Sequence, residues 1–238
     1  MNSDARRPFC TAAMAGVAIY VGVDIVLQRL PPHYSVIRDA ESNLAVGPYG
    51  WIMNLNFLGR AATTLCVMRA VVRTAPVSGP RSVGALLLGI GGASSAVLAF
   101  FPTDVRSEAG AGPVATTGGA VHLIVAGMGF LAALAGVSTL TWWLRHSPGL
   151  RRTYRVASVF TGITALGLVS MGVSGRFLPG FLGLAERIAL AGILGWAFAV
   201  SAGIRALPAS AAQPYRSVRR PATPRPKDAR ARASLGRE

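Results

Sequence analysis

The stretch GAVHLIVAGMGFLAALAGVSTLTWWL, from Gly119 to Leu144, contains no Asp, Glu, Lys or Arg. A bilayer core roughly 30 Å thick is spanned by about 20 mostly apolar helical residues, so this run alone is long enough to cross it. In lipid, backbone groups must bond within their own segment, which makes the run a helix and not an open strand. Five further segments have the same character: Phe9 to Leu27, Trp51 to Val72, Val83 to Phe101, Tyr154 to Ser174 and Glu186 to Arg205. The sequence predicts an all-α fold, a polytopic membrane bundle of six transmembrane helices over residues 1–206. Of the 238 residues, 52% are hydrophobic and 14% charged, and the apolar ones gather in long blocks. That pattern excludes a soluble two-layer domain.

The formal charge of +15 would suggest nucleic acid in a soluble protein. Here its distribution assigns it to topology, so no nucleic acid is expected. Arg6 and Arg7, then Arg69, Arg73 and Arg81, then Arg145, Arg151, Arg152 and Arg155, then Arg205 and the tail fall in alternate connectors. Only Arg29, Arg38, Arg106, Arg176 and Arg187 fall in the others, and Arg60 lies inside the second helix. Basic residues near helix ends resist translocation, so both termini are expected in the cytoplasm, of a bacterial plasma membrane given the Ala, Gly and Arg richness. Residues 207–238, rich in Pro, Ala and Arg without an apolar face, read as a disordered basic tail. Such a tail either fixes topology or holds anionic headgroups. Arg6 and Arg7 open the chain like an export signal, but DIVLQRLPP after the apolar run offers no small-x-small cleavage site, so an uncleaved anchor is expected. Cys10 and Cys66 fall on the predicted cytoplasmic side and are not expected to pair.

Small residues four apart recur, among them Ala12 with Gly16, Ala18 with Gly22, Gly129 with Ala133 and Ser158 with Gly162, and they read as close-packing surfaces. They do not set an oligomeric state.

The polar residues are less evenly explained. A charged side chain at a helix centre costs about 2.5–3.5 kcal/mol on insertion scales, so Arg60, roughly 13 Å below the external surface at about 1.5 Å per residue, needs a partner or a ligand. Asp24 is its nearest candidate partner in depth, and Asn56 lies one turn away on the same helix face. The first external connector and the start of helix 2, PPHYSVIRDAESNLAVGPYGWIMNLNF from Pro31 to Phe57, is rich in His, Tyr, Ser, Asp, Glu and Asn. Asp104 follows the stop at Pro102, His122 lies about one turn inside the fourth helix, and Glu186 with Arg187 opens the sixth. With Asn54 and Arg176 these groups all belong to one predicted membrane side. Asp24, Asn56, Arg60, Asp104, His122 and Glu186 are therefore the candidate ligand-binding set.

Four chemistries are open to that set. Asp24, Asp104, His122 and His33 supply zinc-type donors, but without HExxH, paired His or a thiolate no metal and no cofactor is expected. Asp104 with His122 would form an oriented base, with Ser35 or Ser42 as nucleophile, in a hydrolase or transferase acting on a lipid or envelope substrate. The reading that asks least is binding of a small molecule or a lipid headgroup, with membrane lipids as the partners; transport through Arg60 and Asp24 is a further alternative.

PPHYS at Pro31 to Ser35, NLAVGPYGWIMNLNF at Asn43 to Phe57, FPTD at Phe101 to Asp104, His122, and Glu186 with Arg187 together resemble the bacterial membrane proteins of domain of unknown function 998. The resemblance runs from about Phe9 to Arg205. It implies a six-helix integral membrane protein and no particular activity. Asp39 and Glu41 follow the family pattern only loosely.

Overall fold

The computed structural model describes residues 3–31, 34–75, 77–105, 115–147 and 149–208. His33, Glu108 and the basic tail from residue 209 onward lie outside them. Six helices are found: α1 (Arg7–Leu27), α2 (Gly50–Val72), α3 (Gly79–Leu98), α4 (Thr117–Arg145), α5 (Arg151–Phe177) and α6 (Leu182–Arg205). All six are long and apolar enough to cross a membrane, and there is no strand among the described residues. Large apolar side chains face outward along them, including Ile19, Leu65, Leu86, Leu123, Leu131 and Leu166. In water such a surface would drive association; in lipid it is the solvated face. The chain is a multi-pass membrane protein.

Local chemistry sets the boundaries. Pro8 and Pro80 sit in the first turns of α1 and α3, where a missing N–H costs nothing. Gly47, at φ 86°, turns the chain into α2, a left-handed conformation that glycine adopts without strain. At α4 the Thr116 hydroxyl accepts from Gly119 N at 2.9 Å, satisfying one of the orphan donors of a helix start. The expectation that the third helix reaches Phe101 is corrected: α3 ends at Leu98, and the next three amides bond three residues back. Pro102 is the cause, because the residue before a proline is disfavoured in the helical region. Likewise α6 starts at Leu182, so Glu186 lies one turn inside the helix and not at its first turn.

Each helix packs on the next and α6 returns to α1, closing a ring into which α6 leans to touch α2 and α4 as well. The α3–α4 and α5–α6 pairs are the tightest. A Cβ at Gly136 would stand 2.6 Å from Leu88 N, one at Gly167 2.2 Å from Ala189 N, and one at Gly192 2.4 Å from Thr164 N. Backbones this close leave no room for a side chain, which is how apolar helices associate without a hydrophobic driving force. Of the small pairs singled out above, Gly16 meets Thr63 and Gly129 meets Ser94, whereas Gly22 and Gly162 face open space.

Several arginines at one end of the bundle bind backbone. The buried Arg6 donates Nη2 to Leu207 O at 2.7 Å and Pro208 O at 3.0 Å, beyond the last turn of α6. Arg81, also buried, donates Nη1 to Val72 O at 2.8 Å and to Ala75 O. Arg73 bonds Ala5 O and lies over the Phe9 ring. Carbonyls at helix C-termini are unpaired and carry partial negative charge, so these cations tie ends together as well as marking a membrane side.

Gly167→Leu is expected to lower stability in detergent by about 1–3 kcal/mol or more, because the α5 and α6 backbones must separate. Gly172→Leu, with nothing within 4 Å of its Cβ, should be neutral or slightly stabilising. Thermal unfolding of the two variants side by side measures the difference.

Candidate functional site

Arg60 stands in mid-helix on α2 and its charge is met without leaving the bundle. Nε donates to Ser95 Oγ of α3 at 2.8 Å, and Ser95 Oγ donates onward to Phe57 O at 2.8 Å. Nη1 donates to the Tyr20 hydroxyl of α1 at 3.3 Å. The guanidinium carbon lies 5.4 Å from the ring centroids of Tyr20 and Phe57, within reach of a cation–π attraction. Neither donor goes to Asp24, the partner expected from depth. Tyr20, one turn earlier on α1, reaches Arg60 first, and Asp24 turns to Gln28, whose Nε2 donates to it at 2.5 Å.

The network continues through Glu41, which is outside the expected ligand-binding set. Tyr20 donates its hydroxyl proton to Glu41 Oε2 at 2.8 Å, and the Glu41 backbone N–H donates to Glu186 Oε2 at 2.7 Å. Glu41 opens the short 3-10 helix Glu41–Ala45, which folds back into the bundle, and it is only 2% exposed. Burial first, then the neighbouring Glu186 carboxylate, pushes its carboxyl up to about 8, against the pull of Arg60. Glu41 therefore holds its proton at neutral pH. Asp24 faces it, and Asp24 Oδ1 is buried without a partner among the described residues; a proton on Glu41 supplies what that oxygen lacks.

The connector carrying Glu41 is held down on α6. Arg187 donates Nη1 to Val36 O at 3.2 Å and Asp39 O at 3.1 Å, and Nη2 to the Tyr34 hydroxyl at 2.5 Å. Leu184 N donates to Ile37 O at 3.0 Å. Burial pushes the Tyr34 phenol up despite the Arg187 charge, so it stays protonated. Gly183 permits this seat, since a Cβ there would stand 2.3 Å from Asp39 O.

Beneath this lid lies a cavity of about 320 Å³. Its polar wall is Glu41, Ser42, Arg60, His122 and Glu186, and the remainder is apolar, from Phe57 and Leu98 to Phe130 and Met171. A recess of about 50 Å³ on the other side of Arg60 runs on between Thr63, Thr64, Ser94 and Ser95, large enough for water.

Three of the six expected residues, Arg60, His122 and Glu186, line this one cavity. Asn56 does not: it donates to Tyr20 O at 3.1 Å and locks α1 to α2. Asp24 stands behind Glu41. Asp104 accepts from Thr116 N at 3.0 Å and Thr116 Oγ1 at 2.7 Å, contacts that hold its carboxyl below the usual range, and it packs against Gly119. It staples α3 to α4. Asp104 and His122 share no hydrogen bond among the described residues: His122 Nδ1 pairs with Phe101 O at 2.6 Å, the carbonyl freed when α3 ends early. A carbonyl only accepts, so Nδ1 carries the hydrogen and Nε2 is the ring nitrogen left as an acceptor. Ser42 lines the cavity and Ser35 does not. Asp24, Asp104 and His122 are not gathered for zinc, and no cluster of three or more His, Cys, Asp or Glu fit to hold a metal occurs among the described residues. Glu41, Tyr20 and Ser95 had no signal beyond their polarity; only the apolar Leu44 and Ala45 hinted that the Glu41 segment is buried.

A carboxyl at about 8 in the folded protein, against an ordinary 4.5, favours the fold while the proton is bound. That contribution is complete below pH 4.5 and is lost as pH rises through about 8. The thermal stability of the wild type should therefore fall between pH 5 and pH 9. Glu41→Gln, which keeps an acceptor for Tyr20 and cannot ionise, should flatten that dependence and raise Tm at the alkaline end.

Residues 14–203 match the family described as "Protein of unknown function (DUF998)". No curated protein and no solved structure matches the chain. The match runs from within α1 to within α6 and takes in every residue of the cavity wall, and the chain belongs to this family of unknown function, DUF998.

Proposed function

We propose that the protein binds a small molecule or a lipid headgroup in the cavity beneath the Glu41 segment. The observation that carries this reading is the convergence of Arg60, Glu41, Glu186 and His122 on one cavity of about 320 Å³ inside an otherwise apolar bundle. Ionisable groups inside a membrane segment mark a functional site by default, and a few convergent polar groups in an apolar pocket are the common form of a ligand site. With the arginine-rich end in the cytoplasm, the cavity lies in the outer leaflet of a bacterial plasma membrane, roofed by the first external connector.

Native mass spectrometry of protein released from mild detergent or nanodiscs tests this. The wild type is expected to carry one bound small molecule or lipid, and Arg60→Met and Glu186→Gln, each checked for intact helicity, are expected to lose it. A wild type that arrives bare from every membrane mimic, or both variants keeping the full complement, would overturn the proposal.

A further inference from the structure

The cavity reaches the outer surface of the bundle sideways. Leu123 and Leu131 of α4 are 69% and 65% exposed and yet line the cavity, with the exposed Gly127 between them. Across from them stand Leu168 and Met171 of α5. The reason for the gap is visible in the packing. Toward this end α4 leans on α3, through Gly129 against Ser94 and His122 against Phe101, while α5 leans on α6, through Gly167 against Ala189. At the opposite end α4 and α5 are joined by Thr141 and Thr161, whose hydroxyls lie 3.0 Å apart. The two helices form a wedge open to the surface that lipid covers. Above it, Arg187 and Glu186 hold the Glu41 connector by the bonds described above, so the roof is fastened where the flank is not.

The wall chemistry narrows the occupant. Glu186 and His122 Nε2 offer acceptors, and Arg60, with Nε and Nη1 already engaged, offers a single guanidinium edge. A phosphate or carboxylate would meet the Glu186 carboxyl group, and a bare ammonium would meet Arg60. Hydroxyl groups donate to the acceptors and accept from the arginine without adding charge.

Resting on the binding reading above, we infer that the ligand is a lipid with a neutral, hydroxyl-bearing headgroup, which enters from the bilayer between α4 and α5 and leaves its chains in the Leu123–Leu131 cleft. Gly127 gives direct access to the question. A Cβ there meets nothing within 4 Å, so Gly127→Phe plugs the cleft without disturbing the packing.

The experiment reconstitutes wild type, Gly127→Phe, His122→Ala and Arg60→Met into phosphatidylcholine nanodiscs. Each disc carries a minor share of monoglucosyl diacylglycerol, phosphatidylglycerol or phosphatidylethanolamine, with soluble methyl glucoside as competitor, and native mass spectrometry reads the retained lipid. Wild type is expected to retain the glucosyl lipid over the two phospholipids by about tenfold or more. Gly127→Phe and His122→Ala are expected to lose it with circular dichroism unchanged, and methyl glucoside is expected not to displace it. A preference for either phospholipid, or displacement by the soluble sugar, overturns the inference. Gly127→Phe retaining lipid while Arg60→Met loses it overturns lateral entry and leaves the cavity reading standing. Both variants retaining lipid as the wild type does overturns the cavity reading as well.

Discussion

A guanidinium in the middle of a lipid-embedded helix has to be paired, and in this protein the pairing organises one end of the fold. Arg60 reaches Ser95 on α3 and Tyr20 on α1, and Tyr20 passes the connection to Glu41, whose own backbone reaches Glu186 on α6. Four helices and the Glu41 segment are thus tied by one chain of hydrogen bonds. In a low-dielectric surrounding each of those bonds is stronger than in water, and each group left out of the network costs more. The connector folds into the bundle because Tyr20, Glu186 and Arg187 meet its polar groups there.

The same network leaves polar atoms facing a void. Small residues bring α3 onto α4 and α5 onto α6 so closely that the two pairs stand as units, and the space between the units at the Glu41 end is the cavity. At the other end Arg6 and Arg81 close helix termini, and Trp196 Nε1 donates to Thr141 Oγ1 at 2.8 Å in the buried core. One end is stitched by arginines to helix termini; the other is roofed by the Glu41 connector. That asymmetry in bonding coincides with the asymmetry in charge that the arginines show in the sequence.

Six spans were legible because lipid imposes a length and a composition on any helix that crosses it, and the Gly119–Leu144 run leaves no other reading. Arg60 and Glu186 stood out because charge is costly there. The identity of their partners was not legible. Asp24 and Tyr20 lie one turn apart on the same face of α1, and the depth at which that helix sits against α2 decides which of them meets Arg60. Asp104, after FPT, serves the start of α4, a use that depends on where α3 unwinds. Glu41 was hidden because a connector of mixed polarity gives no periodic signal, although its side chain is among the most buried of the charged groups. A sequence reveals which residues are costly in lipid more readily than it reveals how the cost is met.

The account depends on Arg60, Tyr20, Glu41 and Glu186 acting as one connected unit. A double-mutant cycle between Tyr20→Phe and Glu186→Gln tests this directly, with unfolding free energies measured in one detergent at fixed pH. These side chains share no direct hydrogen bond and are linked through Glu41, so the account predicts a coupling of at least about 0.5 kcal/mol. Strict additivity of the two losses would contradict it.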